Sequence, residues 1–168
     1  MKTLTTTAVG ALLLVAFASP SQADDSAFVH WKKIIGVAQA NNLVGNAPNQ
    51  ATGGGQPWST LDGDAVVNLS EGTVYFEVRG LVLAGGNAIG TPGAVTNVVG
   101  TLVCGLMSGE TTTLIDTQAV PLSAQGNAEF YGSFSSSTAA CSATDVAFLI
   151  RAAVGTEPWI ANGVVRVP

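Results

Sequence analysis

Gly72-Thr73-Val74-Tyr75-Phe76-Glu77-Val78-Arg79-Gly80 places Val74, Phe76 and Val78 on one side of the chain and Tyr75, Glu77 and Arg79 on the other. Strict alternation between two glycines is the pattern of a strand with one face in a core and one in water. The theme recurs downstream. In Gly126–Phe134, Ala128, Phe130, Gly132 and Phe134 oppose Asn127, Glu129, Tyr131 and Ser133. In Asp145–Ala152, Val146, Phe148 and Ile150 oppose Asp145, Ala147 and Arg151. Upstream, Ala65, Val67 and Leu69 alternate just before Ser70-Glu71-Gly72, so Asp64–Leu69 and Thr73–Leu83 read as a hairpin.

Other segments fit the same class. Val95–Cys104 is apolar on both faces, as a central strand should be, and Thr112–Val120 and Trp159–Val167 complete the set. Phe28–Gln39 is ambiguous between helix and strand; its β-branched residues and Gly36 favour a strand. Clusters of Gly, Pro, Asn and Ser separate these runs at Asn46–Gly55, Gly85–Gly93, Ser135–Ser142 and Gly155–Pro158. Seven or eight short strands spaced in this way predict an all-β, single-domain antiparallel β-sandwich, immunoglobulin-like or jelly-roll in topology.

The N-terminus indicates where such a domain would reside. Lys2 precedes an apolar run from Ala8 to Ala18, about half the ~20 residues a membrane-crossing helix needs. Pro20 and then Ser21-Gln22-Ala23 supply a break and small residues of the signal-peptidase type. Residues 1–23 are therefore expected to be a signal peptide and 24–168 the secreted or periplasmic domain, with no transmembrane segment. Two cysteines, Cys104 and Cys141, both fall in the exported part and are expected to form a disulfide. The chain carries 6 Lys and Arg against 11 Asp and Glu, and loss of Lys2 would make the remainder more acidic still. That balance argues against nucleic acid as a partner, and Lys32-Lys33 is its only adjacent basic pair.

The residue inventory excludes several chemistries. His30 is the only histidine, so copper and zinc sites that need two or three imidazoles cannot be built. No Gly-x-Ser-x-Gly elbow occurs. Asp62-Gly63-Asp64 begins like a calcium loop but runs directly into the strand-like Ala65-Val66-Val67. The glycine-rich Ala84–Gly93 stretch lacks the Gly-Lys-Ser/Thr ending of a phosphate cradle. Asn68-Leu69-Ser70 has the form of a glycosylation sequon. A carboxylate-dependent hydrolase would have to draw on Glu77, Glu129 and Asp116. No catalytic residue, metal ligand or cofactor is expected.

Aromatic residues give the positive hint. Trp58, Trp159 and Tyr75 are the candidate ligand-binding residues, because exposed aromatic rings stack on sugars or anchor protein partners. Phe76–Gly86, Gly100–Cys104 and Trp159–Gly163 resemble segments of a group of uncharacterised secreted bacterial β-sandwich proteins. The resemblance implies export and one compact β domain, and it assigns no site residue. The sequence thus predicts a secreted or periplasmic binding or envelope-associated module whose partner is an envelope polysaccharide or protein. The alternatives are an extracellular hydrolase and an extracellular structural component.

Overall fold

The computed structural model describes residues 27–167; the expected signal peptide lies outside the described residues. Thirteen strands follow one another: β1 Phe28–Gly36, β2 Leu43–Val44, β3 Ala51–Thr52, β4 Trp58–Ser59, β5 Asp62–Asn68, β6 Thr73–Arg79 and β7 Val82–Leu83. Then come β8 Asn97–Cys104, β9 Thr113–Asp116, β10 Val120–Pro121, β11 Ala128–Ser133, β12 Val146–Ala152 and β13 Trp159–Val167. The strand reading of the N-terminal segment holds as β1, and the expected hairpin is β5–β6. Asn68 closes that hairpin: its Oδ1 accepts from Ser70 N, Ser70 Oγ and Glu71 N, which engages the sequon's side chain in the turn.

One antiparallel sheet runs in the order β10-β8-β12-β13-β1-β5-β6-β11, with β9 pairing the same edge of β8 as β10. The expected Thr112–Val120 strand is split because Thr117 turns inward, donating its N–H to Gly100 O and accepting Gly100 N–H on Oγ1. The hydrogen-bonded path is unbroken, so this sheet stands in place of the two separate sheets expected of a sandwich. Two small two-stranded pairs, β2–β3 and β4–β7, lie outside it. Their two-residue strands are too short to show a period in the sequence.

The sheet is curled, and the connectivity requires it. β10 and β11 stand at opposite ends of the strand order, yet the turn Leu122–Asn127 alone joins them. A flat sheet of eight strands at ~4.8 Å spacing would hold those ends about 34 Å apart. Ser135, just beyond β11, donates its N–H to Asp116 O at the end of β9 at 2.8 Å, so the two edges nearly meet. β8 and β6 thereby face each other across the core, although six strands lie along the sheet from one to the other, both included.

Aromatic rings fill the space. Phe148 of β12 contacts Trp31 of β1 and Phe76 of β6, each at 5.7 Å between centroids, and Phe76 stacks on Phe130 of β11 at 5.9 Å. Two strand glycines make room for them. A Cβ on Gly100 would lie 2.6 Å from Phe76 Cε1 and 2.9 Å from Phe148 Cζ, and one on Gly163 would lie 2.6 Å from Trp31 Cγ. The disulfide Cys104–Cys141 ties the end of β8 to the β11–β12 connection, with Cα atoms 5.4 Å apart across a sequence separation of 37. No helix among the described residues is long and apolar enough to cross a membrane.

Two stability outcomes follow. Replacing both cysteines by alanine removes a cross-link worth about 4 kcal/mol in the chain-entropy relation, which urea denaturation of the oxidised protein and the variant would read. Gly100→Ala overpacks the ring cluster and is expected to cost about 1–3 kcal/mol in the same assay. An unchanged midpoint in Gly100→Ala would contradict the packing described.

Candidate functional site

Register across the outer face of the sheet brings together residues that the sequence keeps far apart. Val167 of β13 stands opposite His30 of β1, His30 opposite Val66 of β5, Val66 opposite Tyr75 of β6, and Tyr75 opposite Tyr131 of β11. All five lie on the side away from the buried Trp31, Ala65, Val67, Val74 and Phe76, because successive side chains alternate. Tyr131 is 84% exposed and Tyr75 is half-buried. The next outward row consists of Asp64, Glu77 and Glu129, again directly opposite one another. An aromatic row thus runs beside an acidic row, about 7 Å away at two residues per pleat.

Local bonds hold these groups in place. Tyr75 donates its hydroxyl to Glu77 Oε2 at 3.1 Å, and Arg79 Nε pairs with Glu77 Oε1 from two residues along the same strand. Burial, followed by the hydrogen bond to Glu77, pushes the Tyr75 phenol up to about 12. The hydrogen bond from Arg79 draws the Glu77 carboxyl below its ordinary value. Burial raises that of Asp64, with His30 opposing and Glu77 adding to it. His30 Nε2 lies 3.9 Å from Asp64 Oδ2. Glu129 has no cationic partner within 4 Å among the described residues.

The other predicted site residues are placed differently. Trp58 and Trp159 are 7% and 5% exposed and belong to the core. Trp159 begins β13 at a bulge where it and Ile160 are both buried, and its Nε1 donates to Asn42 O at 3.0 Å. Tyr75 is therefore the member of the predicted trio whose side chain stands on an outer face. Asp116 is occupied: Arg151 Nη1 reaches both of its oxygens at 3.1 Å, and Thr101 Oγ1 donates to Oδ1 at 2.6 Å. Asp62-Gly63-Asp64 starts β5. Among the described residues no group of three or more His, Cys, Asp and Glu side chains is arranged to hold a metal.

A carboxylate pair not singled out in the sequence lies at the disulfide. Glu110 and Asp145 line a cleft of about 310 Å³ with Thr111, Thr113, Ser142 and the cystine. Asp145 is buried, and its Oδ1 accepts the backbone N–H groups of Leu106 and Met107 at 2.9 and 3.0 Å. Asn46 Nδ2 donates to Gly105 O and Met107 O, and Thr112 Oγ1 donates to Gly105 O, so the loop is sewn down from both sides. The neighbouring Asp145 carboxylate, first as a hydrogen-bond acceptor for the protonated form and then as a like charge, holds the Glu110 carboxyl above the ordinary glutamate value. Nothing in Gly109-Glu110-Thr111 marks this proximity in advance, since the two residues are 35 positions apart; only the disulfide pairing hinted that the two segments meet.

No protein-family model matches the chain, and neither does any curated protein or solved structure.

The Glu110–Asp145 contact has a signed consequence for pH. A carboxyl raised in the folded state stabilises the fold in its protonated form; that stabilisation is full below the unfolded value and is lost as pH rises through the folded one. The stability of the parent protein relative to Glu110→Gln should therefore fall as pH rises above the ordinary glutamate value of about 4.3. Urea denaturation of both proteins across that range measures it, and a difference that grows with pH would contradict the contact.

Proposed function

We propose that the chain is an exported, non-enzymatic binding module, a rolled sheet used in the manner of a sandwich, whose outer tyrosine row receives an envelope polysaccharide. The observation that supports this reading most is the alignment of Tyr75 and Tyr131 as direct cross-strand neighbours on an open sheet face. Aromatic side chains offer a rigid apolar surface at low entropic cost, and a sugar ring presents its C–H faces to such a surface. The row of Asp64, Glu77 and Glu129 alongside supplies hydrogen-bond acceptors for ring hydroxyls. The disulfide is in keeping with an oxidising compartment outside the cytoplasm.

The hydrolase alternative finds less support. Glu77 and Glu129 line an open depression of about 330 Å³ with Pro121 and Asn127, where Arg79 already pairs with Glu77, and Asp116 is consumed by Arg151 and Thr101. Glu110 and Asp145 do line one cleft, but Asp145 Oδ1 is already spent on the N–H groups of Leu106 and Met107.

The test is co-sedimentation of the exported protein with insoluble envelope polysaccharides, followed by titration of soluble fragments of whichever is retained. Tyr131→Ala is expected to weaken binding about tenfold or more, with the urea midpoint unchanged because the side chain is almost wholly in solvent. Tyr75→Ala should weaken it as well. Retention that is indifferent to both substitutions would move the ligand off this face. Absence of retention by any polysaccharide would remove the reading.

A further inference from the structure

Away from the outer face, β4 and β7 form one wall of a groove of about 230 Å³, closed by the turn around Pro92 and by the β12–β13 connection. Leu83, Pro92, Val95, Val154 and Ile160 line it with Trp58, and no charged side chain does. Gln56 is its only other polar side chain. Trp58 is 93% buried (7% exposed), yet its Nε1–H has no acceptor among the described residues, whereas that of Trp159 is bonded to Asn42 O at 3.0 Å. Among the described residues no buried side-chain nitrogen or oxygen sealed from solvent lacks a partner, so the Trp58 N–H retains an opening to water. Gly54 marks where it opens: this groove-lining glycine would carry a Cβ only 3.7 Å from Trp58 Nε1.

We propose that this groove binds a neutral small molecule with a ring-sized apolar body and one carbonyl-type acceptor, the acceptor taking the Trp58 Nε1–H. An apolar cavity of ~150 Å³ holds benzene, so this groove has room for a ring with a short substituent. An ion entering it would lose hydration and meet no counter-charge. A polyol would leave several hydroxyls without partners, which separates this ligand from a polysaccharide on the tyrosine row; the two sites are independent. A lone N–H in an apolar lining selects for one acceptor and against none, because an apolar occupant without one would seal the donor from water unpaired.

Acetophenone and ethylbenzene form the probe pair, matched in size and differing in the carbonyl. The three tryptophans give three indole N–H signals in a proton–nitrogen correlation spectrum of the exported protein. Acetophenone is expected to shift the Trp58 signal saturably, and ethylbenzene to bind roughly tenfold more weakly. Trp58→Phe should bring acetophenone down to the affinity of ethylbenzene. Should that variant fold poorly, Val154→Glu, on the exposed rim, is expected to abolish binding while leaving the spectrum of the core intact. No saturable shift, equal affinity for the two probes, or an affinity unaffected by either variant overturns the proposal.

Discussion

The contact of Phe148 with both Trp31 and Phe76 governs the architecture. These rings come from β12, β1 and β6, and a flat sheet would hold the outer two of those strands apart with their rings side by side and wet. Rolling the sheet turns the rings toward one another and brings β8 over β6. It works only because Gly100 and Gly163 leave the room a Cβ would take. A glycine inside a strand ordinarily weakens it through lost packing and added chain entropy. Here each empty position is filled by an aromatic ring from elsewhere in the sheet, which removes far more apolar area from water than an alanine methyl could.

Because the rings lock the curl and the alternation locks each strand's facing, the outer surface follows without further choice. A one-residue slip of β6 against β5 or β11 would put Phe76 in water and Glu77 in the core. The same constraint that buries Phe76 therefore aligns Tyr75 with Tyr131, and Glu77 with Asp64 and Glu129. Like charges directly opposite one another oppose sheet stability. Arg79 offsets part of that repulsion at Glu77, and His30 stands near Asp64. Both contacts are solvent-accessible and are worth little. The fold thus tolerates a concentration of acceptors and aromatic surface that its own stability does not call for.

Period-two alternation made the strands legible, and even the ambiguous β1 segment resolved as its β-branched residues suggested. Cysteine parity made the bridge legible. What the sequence could not display is long-range register. Alternation states that Tyr75 and Tyr131 each face water and is silent on their being neighbours, since that depends on which strands pair. The single rolled sheet was hidden for the same reason, because inward faces read alike whether they meet across two sheets or within one. Trp58 and Trp159 illustrate the limit in the other direction: each sits at a loop boundary, where exposure is the ordinary expectation, and each is instead buried, Trp159 against Asn42 and Gly53 beside the β2–β3 pair. The Glu110–Asp145 contact depends on the bridge position and on a loop with no periodicity at all.

Polar groups at the disulfide end and on the tyrosine row differ in how much of their bonding capacity the fold has already used. Around the cystine, Asp145, Asn46 and Thr112 all spend hydrogen bonds on the backbone of the Gly105–Thr112 loop. Glu110 lines the same cleft as Asp145, and at the neighbouring edge Asp116 is held by Arg151 and Thr101. These side chains hold an irregular connection against the sheet in place of a ladder, as buried or half-buried polar groups must where backbone would otherwise go unpaired. On the outer face the ladder with β6 already holds β11 in place, and among the described residues Tyr131 and Glu129 make no side-chain hydrogen bond. A side chain whose removal costs the fold nothing, standing where the register concentrates others like it, has its hydrogen-bonding and stacking capacity left over for a second molecule. That surplus is why the tyrosine row, rather than the deeper cleft, carries the binding assignment.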